Sequence, residues 1–168
     1  LTLMLLADSG YGQGEILTTP LQMATMFCAF ANGGNIMQPY IVDGLYETEG
    51  IKYNNVSRAS PKVWKSGVIE QHSLDVIVPY LKDVVDHSLN GTGRSLKVTS
   101  VTVAAKTGTA EIGNDKSRQI SWFAGFRCDT EDKDARLVLV MLEVPTTDEY
   151  ASLKFDIARE MLKMSASR

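Results

Sequence analysis

Hydrophobic and polar residues follow a helical period in the first two thirds of this chain. Thr19 is a suitable N-cap and Pro20 a suitable first helical residue, and apolar residues then recur every three or four positions until the turn-forming residues 32–35. A second helix is predicted from about Ser73 to Leu89, with a kink at Pro79. Its predicted apolar stripe is Leu74, Ile77, Leu81, Val84 and Val85.

The last third changes to the pattern of strands. Three segments rich in β-branched and aromatic residues are predicted as strands, Val98–Ala105, Ile120–Phe126 and Leu137–Val144. The polar loops between them, 113–116 and 129–134, are too short for a parallel crossover, so the strands should form an antiparallel meander. A terminal helix starting at residues 147–149 should cover one face of the sheet with Leu153, Ile157, Met161 and Leu162.

Other segments are less regular. Residues 8–15 are predicted as a glycine-rich loop, and residues 36–42 as a short edge strand because they contain Pro39. Residues 43–68 are polar and turn-rich, and no element is predicted there. The predicted fold is therefore α+β, a three-stranded antiparallel meander packed by helices. No internal domain boundary is predicted within residues 1–168.

Composition excludes several classes of function. Of the 168 residues, 44% are hydrophobic and 22% charged, as in globular proteins, and the net charge of −3 argues against a nucleic-acid partner. The apolar run Leu1–Ala7 is too short to span a bilayer and lacks the basic region of a signal peptide. Because there is also no initiator Met, we expect the chain to be part of a longer protein. Cys28 and Cys128 are predicted as small buried side chains, not as metal ligands or a disulfide.

The most informative residues for chemistry are Lys106, Thr107, Gly108 and Thr109, at the end of a predicted strand. Lys106 offers a positive charge for a substrate carboxylate, and Thr107 adds a hydroxyl. Gly108 removes a side chain that would block a ligand lying along the strand. The backbone N–H of Thr109 could stabilise an oxyanion.

Lys-Thr-Gly resembles the third motif of serine penicillin-binding proteins and class A β-lactamases. Nearly the whole chain is similar to the part of class B penicillin-binding proteins, particularly Gram-positive and low-affinity resistance types, that surrounds this motif. The matching segments are ADSGYGQGEIL at 7–17, TPLQMA at 19–24, NGG at 32–34, KTGTAE at 106–111 and SWFAGF at 121–126. The resemblance implies the C-terminal half of the penicillin-binding protein/β-lactamase-like serine transpeptidase fold.

The resemblance also implies an activity. In this family a serine of a Ser-x-x-Lys motif attacks the D-Ala-D-Ala end of a peptidoglycan stem peptide, and an amine of a second stem resolves the acyl-enzyme. β-Lactams mimic the donor. The parent would act at the outer face of the bacterial cytoplasmic membrane on a single anchor, without a metal or organic cofactor. The absent N-terminal half would be a partner of this chain, with its strands pairing to Leu137–Val144. The unprotected edge predicts self-association.

One departure from the family is large, because no serine of this chain begins a Ser-x-x-Lys. Ser88-Leu89-Asn90 matches the second motif, Ser-x-Asn, by letters, but it follows the glycine-rich segment instead of preceding it, and we interpret it as a coincidence. We therefore predict that this chain alone does not catalyse acyl transfer. The alternatives are a β-lactam sensor or degenerate module that binds without turnover, and an α+β interaction domain in which the motif is accidental.

The remaining candidates are individually weak. Gln13 is a candidate for substrate contact, whereas the Gly10-x-Gly12-x-Gly14 spacing does not fit a nucleotide-binding loop. Glu111 is either an active-site carboxylate or a residue that ends its strand by binding backbone or an arginine. His72 and His87 lack ligand partners in the sequence and are predicted to be solvated or packed. Trp122 and Phe123 should point to opposite faces of their strand.

Overall fold

The computed structural model describes residues 2–14, 16–86, 89–96, 98, 101–113, 115–128, 136–147, 150 and 152–164. The helices are α1 (Leu3–Gly10), α2 (Pro20–Ala31), α3 (Gln71–Asp86) and α4 (Leu153–Lys163), with a 3-10 turn at Arg94–Leu96. The strands are β1 (Ile36–Met37), β2 (Gly44–Glu49), β3 (Lys52–Arg58), β4 (Val63–Lys65), β5 (Val103–Ile112), β6 (Arg118–Arg127) and β7 (Leu137–Pro145).

The main sheet is the predicted antiparallel meander, with strand order β5-β6-β7. Within its register Lys106 lies opposite Ala124, and Gly108 lies opposite Trp122. Among the described residues β5 and β7 are therefore the edges of the sheet. The predicted α+β class is confirmed.

The sheet buries both faces. On one face Phe123 packs against Phe155 of α4, with ring centroids 6.0 Å apart in an edge-to-face arrangement. The other face packs Phe126 against Phe27 of α2, with centroids 5.9 Å apart. Each face is continued by small and branched residues from β5, β6 and β7: Val103, Ala105, Val138 and Val140 on the first and Ala104 and Ala124 on the second.

Helix α2 begins where the sequence predicts. The Thr19 side chain accepts a hydrogen bond from the Gln22 N–H at 3.2 Å, and Gln22 Oε1 accepts one from the Thr19 N–H at 2.9 Å. This capping box satisfies two backbone donors at the helix start. Beyond the helix, Gly34 has φ of +80°, and a Cβ there would lie 2.0 Å from the Ile69 carbonyl oxygen, so the turn requires glycine.

Several predictions about element bounds are wrong. Asp8, Ser9 and Gly10 belong to α1 and not to a loop. The helix begins after its N-cap Thr2, whose side chain accepts a hydrogen bond from the Leu5 N–H at 3.3 Å. The strand predicted over 36–42 is limited to Ile36–Met37, and residues 43–68 contain β2, β3 and β4. The β2–β3 hairpin was not predicted because nearly all its side chains are exposed, which leaves no apolar periodicity.

The later bounds also shift. Strand β5 begins at Val103 and not at Val98, and it continues to Ile112. Helix α4 begins at Leu153. The predicted start at 147–149 falls partly on residues 148 and 149, which lie outside the described part of the chain, as does residue 151. The buried residues of α4 are Lys154, Phe155, Ala158 and Leu162, so the prediction is correct for Leu162 and wrong for Leu153 and Met161, which are exposed. In α3, Leu74, Leu81 and Val85 are buried as predicted, whereas Ile77 is exposed.

Helix α1 contrasts with the others because it has no buried residue. Leu3 and Met4 are 86% and 77% exposed. Within the described ranges no helix combines the length and hydropathy required to cross a membrane.

Candidate functional site

The Lys-Thr-Gly motif lies in the middle of the edge strand β5, and not at the end of a strand as predicted. Leu81 and Val85 of α3 pack in the same clusters as residues 103–105, so the first part of β5 is covered by this helix. From Lys106 onward no residue of the strand is fully buried, and Lys106, Thr109 and Glu111 are exposed. The later start of β5 therefore places the motif where the edge of the sheet opens.

The backbone of this open edge points toward solvent at alternate residues. The carbonyl of Thr107 accepts a hydrogen bond from Lys106 Nζ at 2.7 Å, and the carbonyl of Thr109 accepts one from Gln13 Nε2 at 3.0 Å. Side chains reach these oxygens because they face away from β6. In an antiparallel strand the N–H and C=O of one residue point to the same side. The N–H groups of Thr107 and Thr109 consequently also face outward.

Thr107 is held by a residue that the sequence did not indicate. Its hydroxyl donates a hydrogen bond to the hydroxyl oxygen of Thr92 at 2.9 Å. Thr92 lies between Gly91 and Gly93, and Gly93 is buried against α3, where an added Cβ would lie 3.1 Å from the Val84 carbonyl oxygen. The turn after α3 thus presents Thr92 to the motif across 15 residues of sequence, a separation that no local pattern reveals.

Gln13 reaches β5 from a tight turn that follows α1. Gly12 and Gly14 have φ of +84° and +91°, and the Gln13 N–H donates a hydrogen bond to the Asp8 carbonyl at 2.9 Å. The Tyr11 hydroxyl donates a hydrogen bond to Asp8 Oδ1 at 2.8 Å, which raises the pKa of Tyr11. The turn therefore contacts the motif strand through the Gln13 side chain. Glu15 lies outside the described residues.

Glu111 forms an ion pair within the β5–β6 hairpin. Its Oε2 lies 2.8 Å from Lys116 Nζ, and this partner raises the pKa of Lys116. Both side chains are exposed, at 52% and 70%, so the pair contributes little to stability. For a structural role of Glu111, the sequence predicted the backbone or an arginine as its partner. The partner in the structure is instead a lysine.

Gly108 and Trp122 are cross-strand neighbours on the same face as Lys106. A Cβ built on Gly108 would lie 3.5 Å from Trp122 Cβ, which is an ordinary contact. The chain itself therefore does not need glycine at this position. Phe123 points to the opposite face and is fully buried, as predicted for adjacent aromatic residues on a strand.

Lys154, in the first turn of α4, is a charged group that the sequence analysis missed. It is only 7% exposed, and its Nζ lies 5.4 Å from the centroid of the Phe155 ring. Within the described ranges it has no carboxylate partner. Burial, and secondarily the charge of Lys106, lower the pKa of Lys154. The motif strand thus has a second amine in its neighbourhood.

Other candidates do not join this site. His72 is exposed and lies 3.2 Å from Glu70, whereas His87 and Ser88 are outside the described residues. Within the described part of the chain no three His, Cys, Asp or Glu residues form a potential metal site. Cys28 and Cys128 are partly exposed, and not buried as predicted. An open groove of about 370 Å³ between α2 and α3 does not include β5.

Comparison with known proteins identifies similar chains. The family profile described as "Penicillin binding protein transpeptidase domain" matches residues 4–163. Penicillin-binding protein 3 of Bacillus subtilis is 33% identical over 144 residues, which are 83% of this chain and 19% of that protein. The chain therefore spans about a fifth of the length of this relative.

Solved structures give the same answer for the fold. The D,D-transpeptidase domain of a peptidoglycan glycosyltransferase from Eggerthella lenta is 29% identical, with a TM-score of 0.63 over 86% of this chain and 32% of that chain. Penicillin-binding protein A of Mycobacterium tuberculosis, solved as a ceftriaxone acyl-enzyme, is 22% identical, with a TM-score of 0.72 over 96% of this chain and 35% of that chain. The same protein was solved as an imipenem acyl-enzyme.

Proposed function

Since this chain belongs to the penicillin-binding protein transpeptidase family, in its class B branch, we propose that it forms the Lys-Thr-Gly side of a serine D,D-transpeptidase active site. The proposed substrate is a peptidoglycan stem peptide ending in D-Ala-D-Ala, and β-lactams are the proposed inhibitors. In the proposed cellular setting the parent protein works at the outer face of the bacterial cytoplasmic membrane.

The observation that carries this proposal is the open edge of β5. Thr107 and Thr109 each direct an N–H and a C=O outward, so the edge is a template for an extended peptide that adds as a further strand. Lys106 places a positive charge beside the same edge, and one of its three donors bonds to the Thr107 carbonyl. A peptide with a free carboxylate matches both features.

The proposed chemistry assigns a role to each residue. A serine hydroxyl adds to the carbonyl of the penultimate D-Ala while its proton passes to a base, and the carbonyl oxygen becomes an oxyanion that the Thr109 N–H stabilises. Collapse of this intermediate expels the terminal D-Ala as the protonated amine and leaves an acyl-enzyme. The amine of a second stem peptide then displaces the serine. Lys106 binds the carboxylate of the donor, and the Thr107 hydroxyl redirects its proton from the Thr92 oxygen to that carboxylate. Gly108 leaves room for the backbone of the donor.

We propose that the attacking serine belongs to polypeptide outside this sequence, since the 168 residues contain no Ser-x-x-Lys. Groups that act as a catalytic unit fail together when one is removed. The isolated chain is therefore expected to remain unlabelled by a fluorescent penicillin, whereas the full-length protein is expected to form a covalent adduct. Release of D-Ala from a stem peptide by the full-length protein separates a transpeptidase from a sensor that is acylated without turnover.

A sharper experiment removes single backbone donors from the edge. Thr109→Pro deletes the proposed oxyanion N–H without breaking the ladder to β6, because that N–H faces outward. Acylation of the full-length protein by penicillin is expected to fall about 10²- to 10³-fold. Glu111→Pro is the matched control, since Glu111 is two residues further along the same edge and its N–H also faces outward. Equal acylation rates for the two variants would contradict the role of Thr109.

A further inference from the structure

The hydrogen bond between Gln13 and Thr109 is a long-range contact at the proposed site. Gln13 Nε2 lies 3.0 Å from the Thr109 carbonyl oxygen, and the two residues are 96 positions apart. The backbone of the turn is fixed by hydrogen bonds from the Gly12 N–H to Ser9 O at 3.2 Å and from the Gln13 N–H to Asp8 O at 2.9 Å. The side chain is therefore aimed at the strand by a defined turn.

This contact is not a by-product of core packing. Helix α1 has no buried residue, and the bond from Gln13 is the hydrogen bond that joins residues 2–14 to the sheet among the described residues. A side chain that only filled space would not require a hydrogen bond to a carbonyl on the open strand edge. The turn instead provides an amide donor at the place where a ligand amide would donate.

The Thr109 carbonyl can accept a hydrogen bond from two different donors, Gln13 and a ligand amide. Its N–H and C=O face the same side, so a peptide that lies along β5 and places its reactive carbonyl at the Thr109 N–H also brings an amide N–H toward the Thr109 oxygen. In the structure Gln13 Nε2 already donates to that oxygen. A ligand amide must displace Gln13 or share the oxygen with it, whereas a ligand without an amide at this position leaves Gln13 in place.

We propose that Gln13 is a specificity-determining residue, which selects against ligands that donate an amide N–H to the Thr109 carbonyl. The inference rests on the proposed function, because it assumes acylation at the edge of β5. The two ligand classes differ in whether they carry an amide N–H beside the reactive carbonyl. Cephalosporins such as ceftriaxone carry an acylamido N–H on the lactam ring, like the amide of a peptide donor. Imipenem carries a hydroxyethyl group at that carbon and no amide.

The test measures second-order acylation rates of the full-length protein by ceftriaxone and by imipenem. Gln13→Ala removes the competing donor, and Gln13→Glu keeps nearly the same size but cannot donate to a carbonyl when ionised. For both variants the ceftriaxone rate relative to the imipenem rate is expected to rise about 2- to 10-fold, which corresponds to one exchanged hydrogen bond. Gln38→Ala is the matched control, because Gln38 is exposed and follows β1, away from β5.

Each outcome decides the question. An unchanged rate ratio in normally acylated Gln13 variants overturns the role of Gln13 and leaves the proposed function intact. An equal fall of both rates also overturns it, because Gln13 would then support the strand and the oxyanion donor for every ligand. Absence of acylation by either compound in the unmodified full-length protein would instead count against the proposed function.

Discussion

Replacement of Gly125 by alanine tests the packing under the motif strand. A Cβ on Gly125 would lie 2.7 Å and 2.9 Å from two ring carbons of Phe123 and 3.2 Å from the Cβ of Ala105. The Phe123 ring cannot swing away freely, because it is fully buried and packs edge-to-face against Phe155. Overpacking of this kind costs about 1–3 kcal/mol. For a domain of this size the midpoint of thermal unfolding should fall by about 2–12 °C.

Gly108→Ala is the matched control for this substitution. Both glycines lie in the sheet and neither has positive φ, but a Cβ on Gly108 meets Trp122 at an ordinary 3.5 Å. Its unfolding midpoint should stay the same or rise slightly, because alanine reduces the entropy of the unfolded chain. Differential scanning calorimetry of the two variants makes the comparison. The packing argument would be refuted by equal unfolding midpoints for the two variants. It would also be refuted if adding Phe123→Leu did not relieve the cost of Gly125→Ala.

Three further changes follow from single contacts. Thr92→Val should lower the rate of penicillin acylation several-fold without changing the unfolding midpoint, because the Thr92 hydroxyl that holds the Thr107 hydroxyl in position is lost, and Thr92→Ser should restore the rate. Thr19→Ala should destabilise the protein by about 0.5–2 kcal/mol in urea unfolding, since the cap on the Gln22 N–H is lost, whereas Thr19→Ser should not. Lys154→Met should be more stable than the parent at pH 7, because burial lowers the pKa of Lys154 in the folded state. The parent should therefore gain stability as the pH rises from this lowered pKa to the unfolded pKa of about 10.4. Urea unfolding of the variant over the same pH range should show no such gain.

The sequence predicts the elements that bury an apolar face. The cap and first residue of α2, most of the buried stripe of α3, and the antiparallel order of the last three strands are confirmed. The β2–β3 hairpin was missed because both strands are exposed, so pairing and not burial defines them. The start of β5 was placed five residues early because the β-branched residues between Val98 and Val103 resemble strand but precede the ladder.

For the candidate site, sequence supplies the residue types and the structure supplies their partners. The motif residues and Gln13 were found from local strings, yet the bonds from Thr107 to Thr92 and from Gln13 to Thr109 join segments that no periodicity connects. Lys154 was missed for a different reason. A lysine beside Phe155 at the start of an amphipathic helix is normally expected on the solvated side, and its burial is decided by tertiary packing alone.

The two-residue alternation of β5 has a consequence for insertions and deletions. Adding or removing one residue between Val103 and Lys106 would interchange the faces of Lys106 and Thr107, and it would turn the outward N–H of Thr109 into a ladder donor. Changes of one residue there should be absent from working homologues. Residues 113–117 connect the strands outside the paired segment, so that connection can vary in length while the motif keeps its orientation.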